Sequence, residues 1–169
     1  MPNLRIQHEY KELAEEYARH VKVHFNSRLR SICFFGSVAR GQATPESDLD
    51  ALIVADGLPR DIGLRFRETN PIHNSLRQTD AHRKLRSLGR HGTVSDIFLT
   101  PEEVSKHPPI LLDIADHGVI AFDRYEFLTG ILKSVRRRLR ELGARKVTSE
   151  KGYYWILKPD AKPTEVVEI

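Results

Sequence analysis

Residues 32–54 read ICFFGSVARGQATPESDLDALIV, and they constrain the fold more tightly than any other part of the chain. A short apolar run stops at Gly36-Ser37, and a polar segment carries Gly41 and Pro45. A second apolar run then opens with Asp48 and Asp50, one residue apart. Strands buried on both faces read as near-continuous apolar runs, so Leu29–Phe35 and Leu49–Ala55 are predicted as interior strands with a turn and loop between them. Alternate side chains of a strand leave on the same face, which groups the two carboxylates. Glycine permits a sharp turn and close approach of backbone to a ligand. A short helix begun at Ser37 would turn its free amides toward an anion, with Arg40 one turn on to reach a phosphate or cap the segment. Two hard oxygen ligands opposite a glycine-serine turn suit Mg²⁺-dependent phosphate chemistry.

Each piece has an ordinary explanation when taken alone. Gly36-Ser37 could be a turn with Ser37 as a helix N-cap, and Asp48 could be a turn former at a strand start. Asp50 resists this treatment. Its neighbours are Leu49, Ala51, Leu52 and Ile53, strands are depleted in Asp, and a carboxylate among apolar groups needs a partner.

The combination Gly36-Ser37, Gly41 and Ser47-Asp48-x-Asp50 resembles the signature of the nucleotidyltransferase superfamily that includes DNA polymerase β. The short length is similar to its minimal nucleotidyltransferases (MNT proteins). The resemblance implies an α/β (α+β) fold, with a small mixed β-sheet flanked by helices. It implies a nucleoside triphosphate, ATP first, held by Gly36, Ser37, Arg40 and Ser47, and two Mg²⁺ ions on the aspartates. A third carboxylate on a neighbouring strand, commonly the base that activates the acceptor, is also implied. Asp96 in the β-rich segment 93–99 is its candidate, as metal ligand and catalytic residue beside Asp48 and Asp50; the bland alternative is an edge-strand Asp facing water. Asp56 and Asp61, beyond the strand end, are weaker candidates. The family points to transfer of a nucleoside monophosphate to a hydroxyl, first a tyrosine on a HEPN-domain toxin, which would make the chain an antitoxin. A small-molecule acceptor of the aminoglycoside type, and a non-catalytic antitoxin or binding module, are the competing expectations. A nucleic-acid acceptor is not favoured.

The rest of the chain bounds these readings. Its 169 residues fit one domain, with a core over about residues 1–100 and a C-terminal helix and strand extension over about 101–169. Apolar residues make up 40% and charged residues 30%, a globular composition with no run long enough to cross a membrane. The start, MPNLRIQHEYKELAEE, carries acids early and is not read as a signal peptide. The single cysteine, Cys33, lies in an apolar run and is read as a buried structural thiol, which fits a cytoplasmic protein. The net charge of +4 suits anionic ligands. It gathers in residues 60–91, with eight Lys/Arg against three acids, and in 128–146, with seven against one.

Periodicity predicts a helix over 7–25, in which His20 and His24 share a face without a third ligand, so no zinc site is assigned. Helices are predicted over 60–68 and over 71–88, the second opened by Pro71. Thr100-Pro101-Glu102-Glu103 reads as a capped helix start. A short helix over 110–116, a strand over 119–122 and a long helix over 125–142 follow, the last with an apolar stripe from Leu128 to Leu142 and a stop at Gly143. Residues 153–157 suggest a strand, after which Lys158-Pro159-Asp160 and Lys162-Pro163 read as loop.

Overall fold

The computed structural model describes residues 4–149, 152–162, 165–167 and 169, so Pro163 of the expected closing loop lies outside the described residues. After a 3-10 turn at His8–Tyr10 comes α1, Lys11–Phe25, whose buried Leu13, Ala14, Tyr17, Ala18, Val21 and Phe25 fall on one stripe. Strand β1 is Leu29–Phe35, α2 is the four-residue helix Gly36–Ala39, and β2 is Leu49–Ala55. Both strands have the bounds that the apolar runs predict, and both are buried along nearly their whole length. Next come α3 (Ile62–Leu76), α4 (Asp80–Ser87), β3 (Val94–Leu99), α5 (Pro101–Val104), α6 (Ile110–His117), β4 (Val119–Asp123) and α7 (Phe127–Glu141). A hairpin of β5 (Arg145–Ser149) and β6 (Gly152–Ile156) follows them.

The four-stranded sheet has the order β3-β2-β1-β4. β1 runs antiparallel to both neighbours, whereas β2 and β3 are parallel, so the sheet is mixed, as expected. Strand alternation divides the core in two. Ile32, Phe34, Leu49, Ala51, Ile53, Val94 and Phe98 face α1 and the apolar residues Ile72, Leu76 and Leu85 of α3 and α4. Cys33, Phe35, Leu52 and Val54 face the opposite layer, built from Val104, Leu111, Ile114, Leu128, Leu132, Val135 and Leu139. The expected stripe of the last helix is therefore core against the sheet. Cys33 is the buried structural thiol that its context predicts, and burial pushes its pKa up to about 12. Gly118 lets the end of α6 close onto β1: a Cβ there would stand 2.5 Å from the Ile114 carbonyl and 2.9 Å from Cys33 Sγ.

The crossover from β2 to β3 differs from expectation. Pro71 does not open a helix but lies inside α3, which runs unbroken from Ile62 to Leu76. Tertiary anchoring outweighs the lost amide there. Asp61 caps the helix by accepting from the Leu64 N–H at 2.8 Å. The Arg65 guanidinium donates to both Glu103 oxygens at 3.0 Å, to the Phe98 carbonyl at 2.7 Å and to the Pro59 carbonyl. This ties the first turn of α3 to β3 and to α5, where Thr100 and Glu103 form the predicted capping box. Among the described residues no helix is long and apolar enough to cross a membrane.

Candidate active site

The ends of β1 and β2 meet where the apolar runs stop. Phe35 pairs with Asp50 across the antiparallel ladder, so the next residue, Gly36, turns directly over the Asp50 carboxylate. Gly36 has φ +72°, and a Cβ on it would fall 1.9 Å from Asp50 Oδ2. Only glycine fits, on conformational and on steric grounds. The turn delivers the chain into α2, with Ser37 as its second residue and Arg40 just past its end, both half-buried. The amides of a first helical turn have no partner within the helix.

Asp48 immediately precedes β2, close enough for its charge to act on Asp50. Burial first, and then the negative charge of Asp48, push the Asp50 carboxyl above its ordinary range. Arg40 and a hydrogen bond with Ser95 pull it back in part. This is the electrostatic signature of a carboxylate pair short of positive charge, and it fits a hard divalent cation. Asp48 and Asp50 would hold such an ion, and phosphate oxygens of a bound triphosphate suit the remaining positions, because Mg²⁺ binds through one or two carboxylates plus substrate phosphates.

The loop that brings Asp48 to β2 is fixed from three sides. Gln7 brackets Ala43, accepting from its N–H at 2.7 Å and donating to its carbonyl at 3.4 Å. The Tyr10 hydroxyl donates to the Ser47 carbonyl at 2.8 Å, and the Ser47 hydroxyl accepts from the Thr44 N–H at 2.9 Å. Arg90 stacks over the Tyr10 ring, pairs with Glu9 at 3.0 Å and donates to the Ala43 carbonyl at 3.3 Å. Ser47 thus shapes the loop that carries Asp48. Gln7, Tyr10 and Arg90 carry no local motif, and nothing in the sequence marks them.

Asp96 is not part of this constellation. In the parallel ladder Asp50 pairs with Ser95, and Asp96 pairs with Ala51. Paired residues share a face, so Asp96 leaves the sheet on the side opposite Asp50, toward α1 and α3. Its Oδ2 accepts from the Tyr17 hydroxyl at 2.5 Å and lies 2.8 Å from His73 Nε2. The expectation of Asp96 as third metal ligand and base is therefore corrected: a one-residue difference of register puts the exposed Ser95 beside Asp50 instead. Neither does Asp96 face water as an edge-strand residue would; it is largely buried. Among the described residues no group of three or more His, Cys, Asp or Glu side chains could hold a metal. The strand's own pattern, VSDIFL, is apolar on both faces and cannot reveal which side Asp96 takes.

The family model of the nucleotidyltransferase domain matches residues 11–159, from α1 through β6. The chain belongs to the nucleotidyltransferase domain family. This nucleotidyltransferase is also similar to a Methanocaldococcus jannaschii protein named "Putative protein adenylyltransferase MJ1305", with 27% identity over 147 residues that cover 82% of this chain and 89% of the relative. A second protein of that organism, "Putative protein adenylyltransferase MJ0604", is 45% identical over 42 residues, 25% of this chain and 42% of the relative. Among solved structures, a toxin-antitoxin crystal structure with AMP-PNP aligns over 77% of this chain and 92% of its own, at 13% identity and a TM-score of 0.48.

Proposed function

We propose that this nucleotidyltransferase moves AMP from Mg²⁺-ATP to a hydroxyl of another protein, first a tyrosine of a HEPN-domain toxin, and so acts as an antitoxin. The observation that carries the reading is the contact of the Asp50 carboxylate with the Gly36 backbone, which fits a triphosphate lying between the glycine-serine turn and the carboxylate pair. The two relatives named as protein adenylyltransferases support AMP as the group and a protein as the acceptor. The HEPN partner rests on the resemblance of the motif to minimal nucleotidyltransferases.

Bound Mg²⁺ would supply charge stabilisation to the phosphates. The chain's own part is mostly positioning. Asp48 and Asp50 orient the cation, Gly36 and Ser37 present backbone amides and a hydroxyl to the phosphates, and Arg40 offsets charge near Asp50. The acceptor oxygen forms its bond to the α-phosphorus as the bond to the β-phosphate oxygen breaks, and pyrophosphate leaves. With Ser95 beside Asp50 in place of a third carboxylate, the site favours an acceptor that gives up its proton readily. A phenol, with pKa about 10, ionises far more easily than an aliphatic alcohol, which supports tyrosine over serine, threonine or a sugar hydroxyl.

The test is incubation of the purified chain with α-labelled ATP, Mg²⁺ and the HEPN protein. Label is expected on a partner tyrosine and is expected to vanish with Asp48→Asn and with Asp50→Asn, while both variants stay folded. Complex formation without label would support the non-catalytic module instead, and label on an aminoglycoside but on no protein would support the small-molecule reading.

A further inference from the structure

On the α1 side of the sheet, away from Asp48 and Asp50, a cavity of about 520 Å³ opens between α3, α4 and the start of β3. That volume lies within the range of small-molecule sites. Two arginines, Arg77 and Arg86, make its lining cationic, and His73, His82 and His91 also reach it. Asp96, the one carboxylate of the lining among the described residues, is already engaged by Tyr17 and His73 through a single oxygen. Burial and the adjacent carboxylate push the Tyr17 phenol well above its usual range, so Tyr17 keeps its proton and remains a donor to Asp96.

Among the described residues, in contrast, the Arg77 and Arg86 guanidiniums have no counter-charge. The nearby acids are taken, Asp80 by Arg83 and Glu12 by Lys84. Arg86 donates to the His91 carbonyl at 3.2 Å. Among the described residues no carboxylate pairs with Arg77 or Arg86. His82 packs against Gly92, where a Cβ would stand 3.2 Å from the ring and 3.5 Å from Arg86 Cδ, so the glycine lets both side chains lie close to the backbone. Burial and the surrounding Arg86, Arg77 and Arg83 hold the His82 imidazole below its usual range, as expected where positive charge is concentrated. At the rim, Phe66 exposes 64% of its surface.

We infer that this cavity is a second ligand site, for a nucleoside phosphate, with the phosphate between Arg77 and Arg86 and the base against Phe66. Guanidiniums match phosphate oxygens in geometry and charge, and an exposed aromatic ring offers a stacking face to a nucleobase. The site is separate from the carboxylate pair and does not depend on the transfer reaction.

Calorimetric titration of AMP into the full chain carrying Asp50→Asn, in EDTA, tests the site with metal-dependent nucleotide binding at the carboxylates silenced. Saturable binding tighter than about 1 mM is expected, weakened roughly tenfold or more by Arg77→Ala combined with Arg86→Ala. Phe66→Ala should weaken AMP but leave inorganic phosphate unchanged, and Arg83→Ala, which removes a paired arginine of the same helix, should change neither. No AMP binding, equal affinity in the double variant, adenosine binding as tightly as AMP, or binding of single-stranded RNA in place of AMP would each overturn the assignment.

Discussion

Gly36→Ala is the most discriminating single change in this protein. Alanine at φ +72° carries a backbone penalty of about 1 kcal/mol. The new Cβ would also sit 1.9 Å from Asp50 Oδ2 and 2.8 Å from its Cγ, so the carboxylate must retreat by about 1.5 Å to restore an ordinary contact. A misplacement of that size at a catalytic group costs on the order of 10²-fold in rate. Gly41→Ala separates the two effects, because Gly41 has φ +70° but, among the described residues, no atom within 4 Å of the added Cβ. Both variants should melt a few degrees lower, about 2–4 °C for each kcal/mol. Only Gly36→Ala should lose labelled-AMP transfer by roughly two orders of magnitude. If Gly36→Ala and Gly41→Ala keep the same activity, the close approach of turn and carboxylate has no part in the chemistry.

Asp96→Asn, read by the same transfer assay and by thermal melting, should lower stability by about 1–3 kcal/mol through the weakened Tyr17 and His73 contacts. It should leave the specific rate within a few-fold, and a loss beyond 10²-fold would restore Asp96 to the chemistry. Asp50 makes stability depend on pH in a direction opposite to that of a salt-bridged acid. Its folded pKa is raised above the unfolded value, so in EDTA the folded state binds more protons and stability falls as pH rises from about 4 upward through the folded pKa. Asp50→Asn should flatten that slope in melts across pH 4–7, and an unchanged slope would show that Asp50 is not held protonated by its surroundings. Arg65→Ala removes a forked link among α3, β3 and α5 and should cost about 2–3 kcal/mol, seen as a lower denaturation midpoint with no change in denaturant slope.

Much of the turn and of its two flanking strands is legible in residues 32–54 because their determinants are local. Continuous apolar runs fix β1 and β2 as interior strands with correct bounds, and the spacing of one residue leaves the Asp48 charge acting on Asp50. Gly36 is identifiable from its place at the end of a buried strand, although the contact that requires it appears only once Phe35 is paired with Asp50. The capping box at Thr100, the stripe of α7 and the buried state of Cys33 are local in the same sense. Pro71 is the counterexample, a residue whose own preference yields to the anchoring of Arg65 at the other end of its helix.

What the sequence could not decide is relative placement. The segment around Asp96 is a strand on its own evidence, yet the face that Asp96 takes depends on its register against β2, and a shift of one residue reverses every side chain. That register, set by packing against α1 and α3, separates Asp96 from the carboxylate pair and gives Ser95 the position beside Asp50. The histidines show the same limit. His73, His82 and His91 are spaced too irregularly along the chain to form a motif, and they meet only because α3, α4 and the start of β3 close around one cavity. Local sequence determined the turn, the strands and the spacing of Asp48 and Asp50, while tertiary packing decided which carboxylates lie near one another and where positive charge is left unmatched.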